Sequence, residues 1–331
     1  MRIGLMSFLD AHHGQDPGER LRVGLSLAER IEALGWDSIW LTEHHGNPHN
    51  PTPRPELVLA HLAARTRRLE LGSAALLLGY RSPLAVAEAI AVLAELAPGR
   101  LRIGLAKGGP FESLRQIDDL GGEARDRRFH RALGLLHRWL DGETVSDELD
   151  GHHWQQTALH PHTDNTARVP LYLATRTPAT IREAARHGDG LMTGQTGGDD
   201  PIDDLVRQYR EVAGHAPALM CSRGFWIDDD IDRARRRALA HIRAVRESKR
   251  AFKQRHGHVG GRRRGGGALT EETIDRVMLL GPLERIVERM RALGTRGVTD
   301  LALNPATLDD AARLEQIEQL TEGLADVRDH G

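Results

Sequence analysis

Short apolar runs alternate with longer amphipathic ones from the first residues onward, and no other feature of this sequence restricts its fold as strongly. A chain written that way repeats strand–helix units, whose strands pair in parallel and whose helices cover them. Ile3 to Phe8 reads as the first strand. Leu21, Leu25, Ala28, Ile31 and Leu34 then recur at helical spacing, and Gly35 is a natural stop. Ser38 to Thr42 is the second strand, Pro55 to about Arg65 a helix, and Leu69 to Leu78 the third strand. Pro83 opens a helix whose Val86, Ile90, Leu93 and Ala97 share one face, and Pro98-Gly99 ends it before the fourth strand, Leu101 to Ala106.

Phe111 to Asp141 reads as helical, and Glu143 to Trp154 has the alternation and Asp150-Gly151 turn of a β-hairpin. Residues 141–168 are therefore an insertion that contains the hairpin, not a second domain. Regular units resume with strand Leu171 to Ala174, helix Pro178 to His187, strand Gly190 to Thr193, helix Ile202 to Ala213 and strand Ala218 to Trp226. A basic helix follows from Ile231 to about Lys253. After an irregular stretch come a helix at Leu283 to Leu293 and a strand at Val298 to Leu303. Eight such units in 331 residues favour a closed (β/α)8 TIM barrel with insertions, one domain over 1–331, above an open doubly wound sheet.

With 40% hydrophobic and 28% charged residues the chain is neither collagen-like nor disordered. A formal charge of −2 offers no field for a nucleic acid. The single Cys221 cannot form an intramolecular disulfide, Met1-Arg2-Ile3-Gly4 lacks a signal-peptide layout, and no run approaches the ~20 apolar residues that cross a bilayer. The expectation is a cytoplasmic protein with no membrane or nucleic-acid partner. Gly257 to Gly267 packs badly and self-repels, so 253–270 reads as a mobile loop, either solvated or a lid over the barrel mouth. It lacks the aromatic interleaving of a nucleic-acid-binding arginine–glycine segment.

Barrel active sites lie at the carboxyl ends of the strands. The residues just beyond them are Glu43-His44-His45, Leu76-Leu77-Leu78-Gly79, Lys107-Gly108-Gly109, Thr175-Arg176-Thr177 and Gly194-Gln195-Thr196-Gly197. Adjacent histidines in an extended segment point to opposite sides, so only one of His44 and His45 faces a pocket. Among 18 histidines chance pairs arise, as at His12-His13 and His152-His153; position beyond a strand is what singles out His44-His45. Lys107 and Arg176 can reach one anion, with Thr177 and Thr180 at a helix start, which outlines a phosphate site or else surface charges and an N-cap. Neither a P-loop nor a Gly-x-Gly-x-x-Gly follows the first strand. His160-Pro161-His162 or His12-His13 with an acidic partner would suit a metal-dependent hydrolase instead.

Four blocks carry a resemblance: Trp40-Leu41-Thr42-Glu43-His44-His45, the run Ala63 to Ala75, Ser82-Pro83-Leu84-Ala85-Val86-Ala87-Glu88, and Gly99 to Gly108. In order and spacing they resemble the bacterial luciferase-like monooxygenase family, densely over the first third and through Asp189-Gly190-Leu191-Met192 beyond it. The resemblance implies a (β/α)8 barrel that binds reduced FMN and O2, forms a C4a-peroxyflavin and oxygenates a small organic substrate. It implies that His44 lies beside the reactive edge of the flavin and exchanges a proton, with Glu43 tuning the site below the ring. Ala74-Ala75 would form a non-proline cis peptide against the flavin. Lys107, Arg176, Thr177 and Thr180 would hold the phosphate, and Met192 would line the ring. Ala106 stands where light-emitting members carry a reactive cysteine, so light emission is not implied.

An oxygen adduct of flavin is lost if water reaches it, so apolar walls are required, and Leu76 and Leu78 are expected to line the substrate pocket. Without a nicotinamide fingerprint, reduced flavin is expected from a separate reductase. The Ala-rich faces at Leu59 to Ala64 and Ala85 to Ala97 match the side through which relatives dimerise, so a homodimer is expected. The alternatives are an F420-dependent hydride-transfer enzyme on the same barrel and a non-catalytic flavin-binding protein.

Overall fold

A computed structural model of the chain describes residues 1–7, 16–46, 50, 52–108, 122–194, 198–255, 270, 271 and 273–328. The end of the first expected strand at Phe8, His12-His13, residues 109–121, 195–197 and 256–269 of the expected mobile loop lie outside them.

In chain order the elements are β1 (Arg2–Ser7), α1 (Pro17–Ala33), β2 (Ser38–Leu41), α2 (Pro55–Arg65), β3 (Glu70–Leu76), α3 (Pro83–Leu96), β4 (Leu101–Leu105) and α4 (Gly122–Leu140). Then come the hairpin β5 (Val145–Leu149) and β6 (His152–Thr157), α5 (Asp164–Ala167), β7 (Leu171–Ala174), α6 (Pro178–His187), β8 (Gly190–Thr193), α7 (Asp200–Ala213) and β9 (Leu219–Ile227). The chain continues through α8 (Ile231–Arg255), β10 (Met278–Gly281), α9 (Leu283–Thr295), β11 (Asp300–Pro305), α10 (Asp310–Glu322) and α11 (Leu324–Arg328). Local chemistry sets several starts: Asp16 accepts from the N–H groups of Gly18 and Glu19 at 3.0 and 3.2 Å, with Pro17 at the first helical position of α1.

Strands β1, β2, β3, β4, β7, β8, β9 and β11 pair in parallel and close into a (β/α)8 barrel. The apolar run Met278–Gly281 is too brief to show a period, so the sequence alone does not mark it as a strand. It extends the sheet as β10: β8 pairs with Leu219 to Cys221 at the start of β9, and β10 pairs with Gly224 to Ile227 beyond it.

The barrel interior is filled by a few large side chains set against glycines. Trp40 is fully buried, donates from Nε1 to Ser38 Oγ at 2.9 Å and meets Tyr172 edge-on at 5.6 Å. A Cβ at Gly72 would lie 2.4 Å from the Trp40 ring, one at Gly104 would lie 2.5 Å from Met192 Cε, and one at Gly190 would lie 2.7 Å from Tyr172. The amino end is plugged by charge. Arg2 donates to both oxygens of Asp300 at 2.6 and 2.8 Å, Arg102 pairs with Glu70, and the Tyr172 hydroxyl donates to Asp300 at 3.3 Å. Burial, aided by the charge of Asp300, pushes the Tyr172 hydroxyl up to about 12. Among the described residues no helix is long and apolar enough to cross a membrane.

Candidate active site

The pairing registers arrange interior side chains in layers drawn from alternate strands. Near the carboxyl end Met6, Ala74, Ala174 and Ser222 stand at one height, with Thr42, Ala106, Gly194 and Asn304 next beyond. Ala74, Ala106 and Asn304 are half-buried, whereas Ala174 and Gly194 are exposed. A Cβ built on Gly194 would meet nothing within 4 Å. Small side chains thus leave the barrel open over β3, β4, β7 and β8, above the buried Trp40, Met192 and Ala302. The carboxyl ends of barrel strands are where ligands bind in this fold.

β3 reaches that rim through a bulge. Ser73 pairs with Ile103 but Leu76 with Leu105, so β3 accommodates one extra residue. Ala74 and Ala75 consequently both join the interior cluster of Met6, Trp40 and Met192, and the peptide bond between them is cis. The Ser73 hydroxyl donates to the Gly104 carbonyl at 3.0 Å and accepts from the Gly104 N–H at 3.1 Å, satisfying groups that the bulge takes out of the ladder. Beyond the bulge the alternation is displaced by one residue. Leu76 and Leu78, expected to wall a substrate pocket, are 1% and 0% exposed and pack in the core between sheet and helices. A slip of one residue exchanges the two faces of a strand, which is why neither leucine reaches the expected pocket wall.

At the end of β2, Glu43 and His45 share a side and bond to each other, with Nε2 donating to Oε1 at 2.7 Å. The other carboxylate oxygen of Glu43 accepts from the Leu77 N–H at 3.1 Å and from Arg81 Nη1 at 3.3 Å, and Arg81 also pairs with Glu56. Glu43 is therefore buried against the bulged loop. His44 lies between these two, on the face that carries Trp40 and Thr42, and is half-buried. Its backbone N–H donates to the Thr52 carbonyl at 3.2 Å, while Asn50 bonds the hydroxyls of Thr42 and Thr52, both at 3.0 Å. That buried trio fixes the loop on which His44 stands.

Across the mouth, Lys107 Nζ pairs with Asp126 of α4 at 2.7 Å, and Arg176 is exposed. Thr177 occupies the N-cap position of α6, yet its hydroxyl turns to Thr175 at 3.1 Å and Thr180 at 2.9 Å and caps no N–H. The first-turn N–H groups of α6 are left to an outside acceptor. Thr180 in turn lies 3.4 Å from His130 Nε2, and His130 pairs with Glu183. The structure brings Ala74, Ala75 and Met192 into one cluster and Thr177 and Thr180 into another; Lys107 is engaged by Asp126 instead. Met6, Ala174 and Ser222, which the registers turn toward the interior, and His130, beside Thr180, carry no local sequence signal for those positions.

The profile described as luciferase-like monooxygenase matches residues 1–300. Limonene 1,2-monooxygenase of Rhodococcus erythropolis is 30% identical over 198 residues, 58% of this chain but only 50% of that protein's length. An F420-dependent glucose-6-phosphate dehydrogenase of Beutenbergia cavernae is 29% identical over 309 residues, 88% of this chain and 90% of its own. The FMN complex of the oxygenating constituent of 3,6-diketocamphane monooxygenase, from Pseudomonas putida, superposes with a TM-score of 0.76 over 98% of both chains. At 19% identity that last likeness shows the fold alone.

Proposed function

The chain belongs to the luciferase-like monooxygenase family, and on that premise we propose that it uses O2 and reduced FMN, supplied by a separate reductase, to oxygenate a small organic substrate. The observation that carries this reading is the open carboxyl end, where the small residues Ala74, Ala106, Ala174 and Gly194 are half-buried or exposed above the buried Met192, which would make a shallow cradle. A flat ring fits such a cradle. Its phosphate would be held by Lys107, Arg176, the hydroxyls of Thr177 and Thr180, and the uncapped first turn of α6. When bound, reduced FMN supplies the electrons that activate O2.

The chain's own residues then divide the work. Met6, Trp40 and Met192 exclude water from beneath the cradle. His44, on the interior face of its loop, exchanges a proton with the substrate. Glu43 acts through the bulged loop, by fixing the Leu77 N–H and Arg81, and is a positioning residue. Exposed Leu57, Val92 and Leu96 on α2 and α3 support a homodimer through those helices.

Mixed with reduced FMN in air, the protein is expected to delay the formation of oxidised FMN relative to free flavin. His44→Ala should retain FMN binding and lose product formation by about 100-fold or more. Flavin oxidation that proceeds as in buffer overturns the reading. A second reading, F420-dependent hydride transfer, is favoured by the dehydrogenase match along 88% of the chain. Reduction of F420 by substrate in the strict absence of O2 would select it over the first.

A further inference from the structure

Ser222 sits on β9 between side chains of known direction: Met220 belongs to the interior cluster, whereas Cys221 packs in the outer core and Arg223 reaches out to Asp199. Alternation therefore turns Ser222 inward, and its register partner Ala302 is an interior residue too. Ser222 is 2% exposed, and its hydroxyl has no hydrogen-bond partner among the described residues. A buried hydroxyl left unpaired costs about 1–3 kcal/mol, so its persistence needs a reason.

Its location supplies one. β9 stands across the eight-stranded ring from β3, so Ser222 faces the Ala74–Ala75 segment at the same height. Its neighbour across β8 is Gly194, the glycine with open space before it. The hydroxyl is closed to solvent in the structure, and Met6, Met192 and Met220 are the interior side chains best able to yield, being unbranched and readily re-packed.

We infer that Ser222 is a further binding residue of this site, hydrogen-bonding a polar atom of the pyrimidinedione edge that FMN and F420 ring systems share. The inference rests on the reading of the open end as a cofactor seat. Serine suits either edge atom, since its hydroxyl donates to a carbonyl and accepts from an N–H.

The test pairs affinity with stability. Wild type, Ser222→Ala and Ser222→Cys are titrated with FMN and, separately, with F420, each ring both oxidised and, without O2, reduced, following ring absorbance and fluorescence, and each protein is melted without ligand. Loss of the hydroxyl should weaken binding of whichever ring wild type takes by about fivefold or more, in both variants, because the thiol matches serine in shape but is a poor donor. The ligand-free Tm of Ser222→Ala should equal or exceed that of wild type, since no native bond is removed. Affinity within twofold of wild type in both variants overturns the inference and leaves the proposed function standing. A lower Tm with unaltered affinity overturns it as well, by showing a purely structural role. Wild type that binds neither ring refutes the cofactor seat itself, and the inference with it.

Discussion

One hydroxyl, that of Ser73, holds together the part of β3 on which the open end depends. It is fully buried and bonds both main-chain groups of Gly104 across the bulge. Ser73→Ala should leave that N–H and carbonyl unpaired and lower stability by about 1–3 kcal/mol, read as a fall in Tm or in denaturant midpoint. In the sequence Ser73 is one small residue among Gly72, Ala74 and Ala75, and nothing about it announces a bulge. The histidine pair behaves differently. That only one of His44 and His45 can face inward follows from the period of an extended chain, and the Glu43–His45 bond puts those two on one side.

Among the elements, α4 ties several others together. Its Arg128 donates to the Leu78 carbonyl at 3.2 Å and pairs with Asp150 in the turn of the β5–β6 hairpin, so the loop after β3, the hairpin and the helix hold one another. His137 of the same helix donates to Asp189, just before β8, at 3.0 Å and stacks on His187 of α6 at 4.1 Å. Burial alone would lower the His137 pKa, but the Asp189 hydrogen bond and charge, with smaller contributions from Asp141 and Glu183, outweigh it and raise the value. The charged form is thus favoured in the fold. Its stabilisation is complete below the ordinary histidine value of about 6.5 and fades as pH climbs through the raised one. The Tm difference between wild type and His137→Gln should accordingly be largest in mild acid and shrink toward alkaline pH; a difference constant across that range would contradict the pair.

Taken whole, the barrel separates its two ends. The amino end joins first strand to last through Arg2 and Asp300 and is sealed by Glu70, Arg102 and Tyr172. Asp300→Asn should cost about 2–3 kcal/mol, less than the ~3–5 for breaking a fully buried pair because Arg2 is partly exposed. FMN or F420 affinity should not move, since in this fold stability resides at the amino face and ligand contacts at the carboxyl face. A matching loss of affinity would show that the ends are coupled. Ser222→Ala is expected to do the reverse, altering binding and sparing the fold.

Periodicity and turn chemistry are local properties, and they carried the strand and helix sequence, the parallel barrel and the rim positions of Glu43, His44, Lys107 and Thr177. Which side chains share a layer is not local, because it depends on how each strand slides against its neighbours. The bulge after Ser73 moved Leu76 and Leu78 from the expected pocket wall into the core and drew Ala75 inward; ring closure set Ser222 opposite it. Apolar pattern is written along the chain, whereas register is decided only when eight strands close at once, and the shape of the open end belongs to the register.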